Sequence, residues 1–256
     1  MSNSILGILV LAAAASLSGC TTGSQSNYST QDLTGNWVFT TLYPGAIPHN
    51  IVYTGAISGQ GANVTAVLRS NTCFATTQDI DFTGSEDAMQ NLTLTSTNLP
   101  NNVVTITAAL AEGNNPSAAT LLVTGSGACS APVISLSDFQ IPSATGNYSG
   151  SITSSLGATA SFTASLTQGA ANADGQFPLT GTLTVTSATC TSTYPVATVF
   201  SGSPFTANLV STTGPPSTAD FTAGPAVSNN VALLGLSNTV ITGCNAGSFT
   251  GSLNKQ

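Results

Sequence analysis

The sequence predicts an all-β protein built from two tandem antiparallel β-barrel or β-sandwich units of about 110 residues each. Three observations predict it. Apolar residues alternate with polar ones at a period of two in many short segments, the pattern of half-buried antiparallel strands. Gly, Asn and Pro punctuate these segments at roughly ten-residue intervals, while helical periodicity is almost absent. An internal repeat also runs through most of the chain, and a repeat decides the architecture before any single element does.

The first element is a leader, residues 1–19. Ile5 to Leu17 form an apolar stretch followed by Ser18, Gly19 and Cys20, the layout of a signal peptide. That stretch is shorter than the roughly twenty residues a membrane-spanning helix needs. The string LSGC resembles the lipobox of bacterial lipoproteins, which implies that Cys20 becomes the acylated first residue. Two or three acyl chains, at about 0.8 kcal/mol per buried methylene, hold a protein at a membrane where one does not. One departure is that the segment before the apolar core carries no Lys or Arg. Residues 20–30 then read as a polar tether, with Tyr28 as its one aromatic. Thr21, where the sorting rule of enterobacteria reads Asp as a retention signal, resembles an outer-membrane address.

The two units follow as residues 31–142 and 143–256. Gly35-Asn36-Trp37 matches Gly146-Asn147-Tyr148 at an offset of 111, and Phe82-Thr83-Gly84-Ser85 matches Phe200-Ser201-Gly202-Ser203. Cys73 matches Cys190 and Cys129 matches Cys244, with offsets staying between 109 and 118 throughout. In the first unit, strands are expected around Trp37, Tyr53, Val67, Phe82, Leu94, Ile106, Val123 and Leu136. Val104, Ile106, Ala108 and Leu110 form one buried phase there; Leu183 and Val185 do the same in the second unit.

The repeat organises the cysteines. Cys73 and Cys129 lie 56 residues apart, Cys190 and Cys244 54 apart. Four cysteines allow three pairings, and the repeat favours one disulfide within each unit, Cys73 with Cys129 and Cys190 with Cys244. An export signal supplies the oxidising compartment that such bonds require. Free thiols and a metal site are the alternatives, but the chain has no CxxC pair and a single His, which argues against zinc.

Taken together, the lipobox, the tether, the LTGNW opening strand, the Cys followed by Phe-Thr-Gly, the LTLTS strand and the late Cys resemble uncharacterised exported lipoproteins common in Acidobacteria. That resemblance implies no established activity. LTGNWVF, Leu33 to Phe39, also resembles the Gly-x-Trp start of calycin barrels such as lipocalins and avidins. This implies that Trp37 closes one barrel end and that Trp37, Tyr53 and Phe82 line either a ligand cavity or an ordinary core. In the second unit Tyr148 stands at the Trp position.

Residues able to do chemistry are few. The chain has two basic and nine acidic side chains and a net charge of −7, so it lacks the basic footprint that nucleic acid requires. His49, the one histidine, sits in a loop and has no counterpart in the second unit, which argues against a general base. Asp79, Asp81, Glu86 and Asp87 form the one acidic cluster, able in principle to hold Ca²⁺ or to act as a hydrolytic carboxylate pair; the matching stretch PVATVFSGSPFT has no acid, so a solvated strand and turn is the expected reading. Arg69 is expected to pair with Asp79 or Asp81 on a neighbouring strand. Gly59 and Gly61, like Gly125 and Gly127, read as turns, because no helix follows them to receive a phosphate. With so few titrating groups, the melting temperature is expected to be nearly flat between about pH 4 and 8.

The expected function is that of a non-enzymatic structural or interaction module of the cell envelope, at the outer membrane on either its periplasmic or its surface face. Its expected partners are the membrane, through the lipid anchor, and an envelope protein or glycan; no cofactor is expected. An alternative is the binding of a small apolar ligand in a calycin-like barrel, and a third reading is a hydrolase using the acidic cluster.

Overall fold

The computed structural model describes residues 30–41, 51–70, 78–110, 117–125, 131–228 and 231–256. Over these residues the chain is all-β. The first unit contains β1 (Gly35–Thr41), β2 (Val52–Gln60), β3 (Asn63–Ser70), β4 (Asp79–Glu86), β5 (Asn91–Ser96), β6 (Asn102–Ala109), β7 (Ser117–Gly125) and β8 (Ala131–Ile141). Each strand pairs with the next, and β8 returns to β1 in six registered pairs from Asn36↔Ile141 to Thr41↔Leu136, closing an up-and-down barrel. All eight expected strand centres fall inside these strands. Closure answers the choice between barrel and sandwich, and it removes the unpaired edges of an open sheet.

The second unit repeats the order with β9 (Gly146–Thr153), β10 (Thr159–Gln168), β11 (Phe177–Thr186), β12 (Thr191–Phe200), β13 (Phe205–Val210), β14 (Thr218–Ser228), β15 (Val231–Thr242) and β16 (Gly247–Lys255). Here β16 returns to β9, but the sheet begins at β12 and ends at β13, so that seam has no continuous ladder. Side chains and single contacts bridge it instead. Thr198 Oγ1 donates to Thr206 O, Thr212 N to Thr193 O, and Tyr194 hydroxyl lies 2.7 Å from Ser217 Oγ.

Strand alternation produces the two cores. In β10 every second residue from Ala160 to Leu166 is buried, and the intervening Thr159, Ser161, Thr163, Ser165 and Thr167 are exposed. Inside the second barrel Phe162 packs against Phe249 with ring centroids 5.1 Å apart, and Phe177, Phe200, Phe205 and Phe221 follow one another at 5.3–6.2 Å. The first barrel is filled by aliphatic residues together with Trp37, Phe39, Tyr53 and Phe82. An eight-stranded barrel is just wide enough for side chains to occupy its interior.

The repeat extends to how each barrel begins. Trp37 Nε1 donates to Leu33 O at 2.8 Å, and Tyr148 hydroxyl donates to Ala144 O at 3.1 Å. In both units the ring on the first strand reaches back four residues and secures the incoming chain. Conservation of the bond rather than of the ring explains how Tyr replaces Trp there.

In an up-and-down barrel, connections after odd-numbered strands share one end, here called upper, and those after even-numbered strands share the lower end. The lower end of the second barrel rests on the outer wall of the first. Asn36, on the outward phase of β1, donates from Nδ2 to Gly202 O at 3.0 Å and accepts from Gly202 N at 2.8 Å. Thr54 and Ser201 hydroxyls lie 3.1 Å apart beside it. Gly202 has φ of +72°, and a Cβ there would come within 2.7 Å of Thr54 Cγ2, so a left-handed backbone and a close approach both require glycine. Outward-facing Val38 and Ala56 are consequently buried, and Ala56 joins the core of the second barrel.

Candidate functional site

The acidic cluster is divided by strand parity. In β4, Ile80, Phe82 and Glu86 are buried, whereas Asp79 and Asp81 lie on the opposite, outward phase. Glu86 is only 4% exposed, against the expectation of a solvated strand and turn. Both its carboxylate oxygens accept from Gln31 N at 3.1 Å, fixing the point where the chain enters the first barrel. Arg69 donates from Nε to Asp79, as expected from sequence, and its Nη2 lies 3.8 Å from Asp174 Oδ2 of the second barrel. Asp81 accepts from Asn98. Asp87 accepts from Met89 N, Asn91 N and Asn91 Nδ2, and these bonds, led by that from the Asn91 side chain, hold its carboxyl below the ordinary value. The four acids therefore serve separate contacts and do not converge on one cation or one scissile bond. Among the described residues no three metal-ligating side chains gather.

Trp37, Tyr53 and Phe82 all belong to the core of the first barrel. Cys190 and Cys244 form a disulfide with Cα atoms 6.2 Å apart. Cys20, Cys73, Cys129 and His49 lie outside the described residues. Several buried polar residues are not singled out by the sequence pattern, Ser70 and Asp138 among them. Ser70 and Asp138 are each 1% exposed, on the inward phases of β3 and β8, and each has a bonding partner. Parity with Leu68 and Leu136 was the signal that could have placed them inside.

Among the described residues, a concavity of about 410 Å³ at the upper end of the second barrel is best able to receive a ligand. Three short connections build it, those between β9 and β10, β11 and β12, and β15 and β16. Each is internally braced. Ser154 N donates to Ala158 O at 2.8 Å. Ser187 N donates to Cys190 O at 2.9 Å, and Ser187 Oγ accepts from Thr189 N and Cys190 N. The disulfide ties the second connection to the third, and Asn245 Nδ2 donates to Val185 O at 3.1 Å. Asn245 adopts the left-handed backbone (φ 62°) that Asn tolerates better than most residues.

The walls carry Ala158, Ala160, Ala188 and Ala246, with Phe249 below and Thr159, Ser187, Thr189 and Asn245 as the polar groups. Among the described residues no ionisable side chain lines it. Asn245 Oδ1 is buried and accepts no hydrogen bond among the described residues. Such a lining is suited to a neutral molecule with both apolar and hydrogen-bonding groups. Two other concavities lie on the exterior, one beside the Ser211–Ser217 connection and one in the groove between the barrels, lined by Ile141, Pro142 and Pro225. No protein-family model matches the chain, and no curated protein matches it in sequence.

Proposed function

We propose that this protein is a cell-envelope lipoprotein, held at the outer membrane by an acylated Cys20, that works as a non-enzymatic structural or interaction module. The observation that carries this reading is the structural use to which six of its charged side chains are put. Arg69, Asp79 and Asp174 join the two barrels, Glu86 secures the entering chain, and Asp81 and Asp87 order turns. The outer walls meanwhile carry rows of uncharged hydroxyls, paired across strands as in Thr153 with Thr159 and Thr184 with Thr193, a surface suited to hydrogen bonding with a protein or glycan. The described chain starts at Thr30 beside Gln60 at the lower end of the first barrel. Residues 20–30 could span at most about 35 Å from there to a membrane.

Mass spectrometry of the N-terminal peptide from the membrane fraction tests the anchor. A diacylglyceryl group on Cys20 is expected, and Cys20→Ala should release the protein into the soluble fraction. Unmodified Cys20 in the membrane fraction would overturn the reading.

A second reading, an apolar ligand held inside a calycin-like barrel, is favoured by the closed eight-stranded up-and-down topology with Trp37 near its lower end. The core side chains that the described residues place inside both barrels weigh against it. Saturable one-to-one binding of a fluorescent fatty acid would revive it.

A further inference from the structure

We propose that the concavity at the upper end of the second barrel is a binding site for a neutral pyranose ring of a glycan. The inference rests on the reading of the protein as a binding module without catalysis, and it follows from matching the lining to a ligand. A pyranose presents C–H faces and a rim of hydroxyls. The concavity offers the methyl groups of Ala158, Ala188 and Ala246 over Phe249 for the former, and Ser187, Thr189 and Asn245 for the latter.

The alternatives fit less well. An anionic or cationic ligand would lose hydration without meeting a countercharge, because no described residue that lines the concavity ionises. A purely apolar ligand would cover the hydroxyls of Ser187 and Thr189 without offering them a partner. Asn245 Nδ2 is already committed to Val185 O, which fixes how the carboxamide is oriented. The bracing of all three connections means that the site exists before the ligand arrives, so little ordering entropy opposes binding. Sequence comparison of the two units adds that Asn245 follows Cys244 directly, whereas Ser130 follows Cys129; the carboxamide at this position belongs to the second unit alone.

The test is a titration of the intact lipid-bearing protein in zwitterionic micelles, followed by amide NMR. Methyl β-D-glucopyranoside and N-acetyl-D-glucosamine are the probes, with D-glucuronate and cyclohexanol as charged and apolar comparisons. At least one neutral sugar should give saturable shifts at the amides of Ala188, Asn245 and Ala246. Ala188→Trp, at an exposed position where folding is not at stake, should abolish them by filling the concavity. Asn245→Gly retains access to the left-handed backbone and should weaken binding about tenfold. Unchanged melting temperatures would show that both variants fold. The proposal fails if no neutral sugar saturates these shifts, if the shifts survive Ala188→Trp, or if glucuronate or cyclohexanol binds more tightly. Release of a cleaved sugar product would instead overturn the non-catalytic reading and leave the site standing.

Discussion

Asn36 shows how one side chain can join two domains. Its carboxamide engages both backbone groups of Gly202, and it is 1% exposed although it points away from its own barrel's interior. Asn36→Ala would leave the Gly202 N–H and C=O buried without partners, at about 1–3 kcal/mol for each unsatisfied group. We expect a loss of about 2–4 kcal/mol by urea unfolding, together with faster proteolysis at residues 201–204. Arg69→Ala should cost less, about 0–1 kcal/mol, because the Arg69 and Asp79 side chains retain about a quarter of their exposure and solvent screens the pair. A ranking in which Arg69 mattered more than Asn36 would contradict this account of the interface. Both residues are conspicuous in the sequence, yet only Arg69 announces its role. A lone cation among carboxylates has an obvious partner, whereas an Asn on the outward phase of a strand looks like surface.

At the scale of elements, the two barrels differ chiefly at one seam. β4 and β5 form a registered ladder from Phe82↔Ser96 to Glu86↔Leu92, whereas β12 and β13 are linked by side chains and isolated contacts. Amide hydrogen exchange should therefore be faster in β12 and β13 than in β4 and β5, since local opening there breaks fewer backbone bonds; equal protection would show that the seam is closed in solution. The disulfides also belong to this scale. Cys190 and Cys244 cross-link connections at the upper end of the second barrel, and breaking that bond should cost about 4 kcal/mol in the chain-entropy model for a 54-residue separation. Cys73 lies between β3 and β4 and Cys129 between β7 and β8, the corresponding positions of the first barrel. Non-reducing peptide mapping should recover a Cys73–Cys129 peptide; one joining Cys73 to Cys190 would refute the unit-by-unit pairing.

For the whole molecule, the scarcity of ionisable groups becomes a statement about pH. The Asp32 and Asp87 carboxyls are held below their ordinary 3.8, chiefly by side-chain bonds to Thr34 and Asn91. A depressed carboxyl contributes stability that is present above its unfolded value and lost as pH falls through the folded one, which places the acid limb below about pH 4. Burial pushes the Tyr148 phenol above 10.0. A raised value contributes stability that is present below the unfolded value and lost as pH rises through the folded one, so the alkaline limb begins beyond about pH 10. The melting temperature should form a plateau between these limits, and a steep change near pH 6 in a scan from pH 3 to 11 would contradict it. The sequence by itself determined the strands and the repeat, favoured the Cys190–Cys244 pairing and narrowed the partner of Arg69 to Asp79 or Asp81, because side-chain alternation, turn residues and duplicated spacing are local or periodic signals. The tertiary structure alone decided that the first sheet closes into a barrel and the second stays open at one seam, that Glu86 and Asp138 lie inside, that Asn36 clasps Gly202, and that Asn245 borders a concavity. Those outcomes depend on strand register and on how one barrel sits against the other, and neither is encoded by any single stretch of chain.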